Sequence, residues 1–157
     1  MAWLSRVRQR RDQGGASAVE FALVMLPLLV LVLGILQYGW YFYAMQNGTS
    51  ATSDVVRRLS VGDCQNSTEL KNLVVARLGS ASTSSSTVQT TVTYTDATTG
   101  HAVVAAPGVV GGGVTLEVVF QSSDFNFPLI PVPDDAKVTR TVFARVEDTS
   151  STAGGCS

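Results

Sequence analysis

A single glutamate stands at the edge of a long uncharged run. Glu20 follows the small-residue stretch Gly14-Gly15-Ala16-Ser17-Ala18-Val19 and precedes Phe21, and no charged residue occurs from Phe21 to Ser53. A carboxylate at the lip of a membrane helix is costly unless a partner meets it. The other residues able to do chemistry are few. Cys64 and Cys156 are the two thiols, and His101 is the one imidazole. That set falls short of the roughly four ligands a Cys/His zinc framework needs. Asp134-Asp135 is too thin an oxygen cluster for calcium and reads as a solvated turn. Serines and threonines abound, but one histidine and no cleft signature leave no basis for a hydrolytic triad. The expectation is therefore no catalytic residue, no metal, no cofactor and no enzymatic activity.

The elements that carry these residues follow from composition and period. The chain has 157 residues, 45% hydrophobic and only 15% charged, with a net charge of −1. A typical domain is about 25% charged. With no global basic field, nucleic acid is not an expected partner. The apolar residues concentrate in Phe21–Tyr43. As a helix at about 1.5 Å per residue this stretch spans roughly 35 Å, enough for a bilayer core of about 30 Å. Tyr38, Trp40, Tyr41, Phe42 and Tyr43 gather at its far end, as an interfacial belt does. Arg6, Arg8, Arg10 and Arg11 precede the segment and none follows until Arg57. The positive-inside rule then puts residues 1–15 in the cytoplasm and the rest outside. Pro27 lies within the segment, where a local kink is tolerated.

Helical spacing continues through Met45, Gly48, Thr52, Val55 and Leu59 to a stop at Gly62. One helix from about Ala18 to Ser60 thus starts in lipid and ends on a folded domain. A second is expected after Asn66, with Glu69 at the third helical position close to a capping box, then Leu70, Leu73, Val74, Arg77 and Leu78, closed by Gly79. The period then changes to two. Thr87–Thr95, Val114–Ser122 and Lys137–Glu147 read as half-buried antiparallel strands. Asp96–Gly100 reads as a turn, and Val103–Ala105 can extend the first hairpin. Gly111–Gly113 reads as a flexible approach, and proline-rich Phe127–Pro133 as an extended loop. The fold class is α+β: a long transmembrane helix, a short second helix and a small sheet of three to four strands. The expected divisions are a cytoplasmic leader at 1–15, a membrane helix with amphipathic extension at 16–62, an extracytoplasmic domain at 63–148 and a flexible tail at 149–157. An even cysteine pair outside the cytoplasm reads first as a disulfide, here Cys64 to Cys156. Two separate thiols, or a bond to another subunit, are the alternatives.

A basic stretch before an apolar run also suggests a secretory signal, and Ala16-Ser17-Ala18 has the A-x-A form. Signal peptidase, however, cuts after the apolar run rather than before it. Gly15-Ala16-x-x-x-Glu20-Phe21 instead resembles a prepilin cleavage site. The stretch Gly15-Ala16-Ser17-Ala18-Val19-Glu20-Phe21-Ala22-Leu23-Val24 is similar to the start of TadE-like pseudopilins of the tight-adherence (Flp) pilus system. So are Leu26-Pro27-Leu28-Leu29, Gly34-Ile35-Leu36-Gln37-Tyr38-Gly39 and the later Tyr43-Ala44-x-Gln46-x-x-Thr49-x-Ala51-x-x-Asp54-x-x-Arg57. Val55-Val56 departs from the family, which commonly has small residues there. The resemblance covers about Arg10 to Ser60.

The resemblance implies a minor pseudopilin in the bacterial cytoplasmic membrane, cut between Gly15 and Ala16 by a prepilin peptidase. Glu20 and Phe21 would serve assembly and helix packing. Its partners would be the lipid bilayer, the peptidase, other pilins or pseudopilins and the tight-adherence secretion machinery, with possible incorporation into a surface pilus. The alternative is a single-pass anchor carrying a small extracytoplasmic binding domain.

Overall fold

A computed structural model describes residues 3–64, 66–103, 109–149 and 156. Helix α1 runs unbroken from Trp3 to Ser60, 58 residues, passing through Pro27. It starts well before the expected Ala18. Gly14 and Gly15 each weaken a helix by about 1 kcal/mol relative to alanine, and ending and renucleating the helix there costs more than that. Its far end is closed by a pair of reverse hydrogen bonds. Asp63 N–H donates to Arg58 C=O at 3.0 Å and Gly62 N–H to Leu59 C=O at 3.1 Å, with Gly62 in the left-handed region at φ 76°. This is the Schellman arrangement, for which a glycine at that position carries no Cβ penalty. The last helical carbonyl, Ser60 C=O, accepts from Glu147 N–H at 2.8 Å and Asp148 N–H at 3.2 Å. The end of α1 is thereby sealed by chain from the far side of the domain.

Helix α2 spans Ser67–Leu78. Asn66 caps it, its side-chain oxygen accepting from Thr68 N–H at 2.9 Å, and Gly79 ends it. Glu69, expected to complete a capping box, accepts the Cys156 N–H at 2.9 Å. Leu70, Val74 and Leu78 form its buried face. An ion pair between Arg77 and Asp54, at 3.1 Å, joins α2 to α1.

The sheet has four antiparallel strands, β1 (Gln89–Thr95), β2 (Ala102–Val103), β3 (Gly113–Gln121) and β4 (Lys137–Arg145), in the order β2-β1-β3-β4. The register aligns Val92 with Leu116 and Val142, and Tyr94 with Val114 and Ala144. Val114, Leu116, Val118 and Phe120 are fully buried along the inner face of β3, as alternation requires. Thr91, Thr93, Glu117, Thr139 and Thr141 stay exposed on the outer one. β2 is the short extension of the first hairpin. Residues 104 and 105 of that expected extension lie outside the described residues, as does most of the expected flexible tail at 149–157.

The run Gly111–Gly113 is not the loose approach its composition suggests. Gly111 N–H donates to Val146 C=O, and Val146 N–H to Gly112 C=O, both at 2.8 Å. A Cβ on Gly112 would collide with Thr95 C=O, and one on Gly113 with the Phe143 ring. The glycines let β1 and β4 close on the start of β3. Phe127–Pro133 is irregular as expected, holding a turn in which Ile130 N–H donates to Phe127 C=O at 3.2 Å. A tight turn over Pro133–Ala136, with Asp134, Asp135 and Ala136 in the left-handed region at φ 49°, 51° and 60°, leads into β4.

Candidate assembly helix and its junction with the domain

α1 divides into two halves by what surrounds it. The first carries the residues singled out by sequence. Gly15, Ala16, Glu20 and Phe21 are all exposed, Phe21 at 65%. A Cβ at Gly15 would meet nothing within 4 Å. Its small size therefore answers no packing need among the described residues. Among the described residues no ion pair or hydrogen bond involves the Glu20 carboxylate. Gly15–Ser60 is long and apolar enough to cross a membrane, and none of its most apolar window is buried. Most large side chains from Val19 to Leu36 are exposed, among them Leu23, Leu26, Leu31 and Ile35. In water that surface would be strongly unfavourable. In lipid it is matched.

The second half packs on the sheet through one stripe. Gln37, Tyr41, Ala44, Gly48, Ala51, Val55 and Leu59 recur at intervals of three and four and are buried. Val55 and Val56, the departure from the family pattern, are both in the core, at 0% and 2% exposure. Thr52 stays satisfied within this stripe by donating back to Gly48 C=O at 2.7 Å. Arg140 of β4 reaches across to Met45 C=O at 3.3 Å through Nε.

Gln37 marks the boundary between the halves. It is fully buried, and a buried amide without partners would be expensive. Both its ends are met by one loop: Nε2 donates to Asp124 Oδ1 at 3.3 Å, and Oε1 accepts from Phe125 N–H at 3.1 Å. One residue on, the Tyr38 hydroxyl donates to Pro131 C=O at 2.8 Å. Trp40 sits edge-on to Phe125, with ring centroids 6.1 Å apart. Sequence reading missed this junction. A glutamine inside an apolar run was the available signal, and nothing local says which distant loop meets it.

Cys64 and Cys156 form a disulfide within the chain, across 92 residues of sequence. Cys64 is fully buried just past the end of α1. Its partner brings the chain terminus onto α2 beside Glu69. His101 is exposed at the β1–β2 turn, and Asp134 and Asp135 are exposed in the turn before β4. Among the described residues no group of three or more His, Cys, Asp or Glu could hold a metal ion.

Compared with known families, residues 15–57 match the family described as TadE-like protein. The matched segment is just over a quarter of the chain. It begins at the exposed Gly15 and ends at the exposed Arg57, taking in the buried stripe of α1 as far as Val55. No curated protein and no solved structure matches the chain.

Proposed function

We propose that this chain is a membrane-anchored minor pseudopilin that takes part in assembling a tight-adherence (Flp) pilus. The observation that carries the reading is the coincidence of the TadE-like match at 15–57 with a helix whose first half is apolar and bare. Residues 1–15 form the cytoplasmic leader, and a prepilin peptidase cuts between Gly15 and Ala16. The sheet domain lies outside the cytoplasmic membrane. The role is structural rather than enzymatic.

Cleavage creates an ammonium at Ala16, one helical turn from Glu20. In a bundle of such helices the Glu20 carboxylate pairs with the ammonium of a neighbouring pilin or pseudopilin. That pairing neutralises two charges in a lipid-like interior, and a slipped register leaves both buried alone. Glu20, exposed and with no ion pair or hydrogen bond among the described residues, is compatible with a partner outside the chain. The glycine at the junction fits a peptidase that needs a small residue and a readily unwound helix.

Intact mass and N-terminal sequencing of the protein made with its prepilin peptidase test this. The expected mature chain starts at Ala16. A chain that still starts at Met1 with the peptidase present overturns the pseudopilin reading and leaves the single-pass anchor with a binding domain.

A further inference from the structure

We propose that the loop from Ser123 to Val132 is a second membrane contact, inserting Leu129 and Phe125 into the hydrocarbon–headgroup boundary of the bilayer that α1 crosses. The inference rests on the membrane reading of α1 and goes beyond it. The loop is held at one level of the helix by Gln37, Tyr38 and Trp40. Along α1, Gln37 lies about 26 Å beyond Glu20 and Trp40 about 30 Å beyond it. With Glu20 at one surface of a hydrocarbon core about 30 Å thick, the loop sits at the other surface.

The chemistry of the loop suits that place. Leu129 is 84% exposed, the most exposed large hydrophobic residue among those described, and Phe125 is 49% exposed. Leu129 has φ 74° and follows Pro128 in the Phe127–Ile130 turn, a position where glycine is the usual occupant. A leucine there gains nothing from the fold and directs an apolar tip outward. Phe125 stacks on Phe127, with centroids 5.8 Å apart. On the helix at the same level, Tyr38, Phe42 and Tyr43 are exposed, so helix and loop together present one aromatic belt. The loop also covers Gln37, whose amide would otherwise face hydrocarbon. From Ser122 to Asp135 there is no lysine or arginine, while Asp124, Asp134 and Asp135 are present. Attachment therefore comes from apolar burial rather than attraction to anionic lipid, and it should be insensitive to salt.

The test is spin-label accessibility in the full chain reconstituted into phosphatidylcholine vesicles. The native cysteines are bonded to each other, so each added thiol is labelled alone. Labels go at Leu129→Cys, at Ile35→Cys as the lipid reference and at Glu117→Cys as the water reference. The expected result is that position 129 follows position 35: more accessible to oxygen than to a water-soluble nickel chelate, and unchanged when phosphatidylglycerol or salt is added. A label at 129 that follows position 117 overturns the proposal. So does one shielded from both reagents, which would mean that a protein neighbour covers the loop. If the label at 35 is itself in water, or the chain does not float with the vesicles, the membrane reading of α1 has failed and the loop contact falls with it.

Discussion

The ring of Phe120, on β3, lies against the backbone of Gly48, on α1. A Cβ at Gly48 would stand 2.7 Å from Phe120 Cε1 and 3.3 Å from Arg140 Cγ. Helix and sheet can approach this closely because position 48 has no side chain. Gly48→Ala should add about 1 kcal/mol of helix propensity but cost about 1–3 kcal/mol of overpacking against a fully buried ring. We expect a net loss of stability, read as a lower denaturation midpoint of the full chain in detergent. An unchanged or higher midpoint would mean that the ring moves aside freely.

The disulfide closes a loop spanning 92 residues of sequence. In the chain-entropy model such a closure contributes on the order of 4 kcal/mol, less any strain. Cys156→Ser should lower the thermal midpoint and make it indifferent to reductant, whereas the wild-type midpoint should fall when reductant is added. Non-reducing peptide mapping should recover the Cys64 and Cys156 peptides linked. Two free thiols in exported protein would contradict it.

Asp96 organises the turn between β1 and β2. Its carboxylate accepts the backbone N–H of Thr99 at 2.9 Å and of Thr98 at 2.8 Å, together with both threonine hydroxyls. These bonds hold its pKa at about 2, below the ordinary 3.8, the Thr99 N–H contributing most. Because the folded value is the lower one, the ionised form stabilises the fold fully above the ordinary pKa. That contribution is lost as pH falls through about 2. The stability gap between wild type and Asp96→Asn should accordingly be widest above about pH 4 and close on acidification. NMR titration of the carboxyl gives the direct check, and a midpoint at the ordinary value would mean the bonds do not persist.

Glu20 should matter to assembly and not to folding. It is exposed and far along α1 from the buried stripe that holds the sheet. Glu20→Ala should therefore leave membrane insertion, cleavage and domain stability intact. In an assembly it would leave a neighbour's ammonium unpaired, at a cost of about 3–5 kcal/mol if fully buried. Pilus production and pilin co-purification from a strain carrying only the variant measure this, and normal pili at normal abundance would remove Glu20 from the mechanism.

Much of this architecture is legible in the residue order because its signals are local. The apolar stretch Phe21–Tyr43, inside a run without charge from Phe21 to Ser53, reads as a long helix and lies within α1. The alternation in β3, with Val114, Leu116, Val118 and Phe120 inward, is written in the sequence and reappears as burial. Asn66 and Gly79 bound α2 because caps depend on the identity of single residues. The start of α1 was not legible in this way. Two adjacent glycines lower helix propensity, but a long helix absorbs that cost, so local preference lost to cooperativity. The tertiary structure alone decided the pairings between distant segments. Gln37 with Asp124 and Phe125, Ser60 with Glu147, Gly48 with Phe120 and Glu69 with Cys156 each join residues dozens of positions apart. Periodicity says which face of an element is buried. It carries no information about which loop or ring will meet that face, because that depends on the angle and depth at which α1 lies on the sheet. The small run at Gly111–Gly113 shows the same limit: flexibility is what its composition offers, and close packing is what its neighbours require.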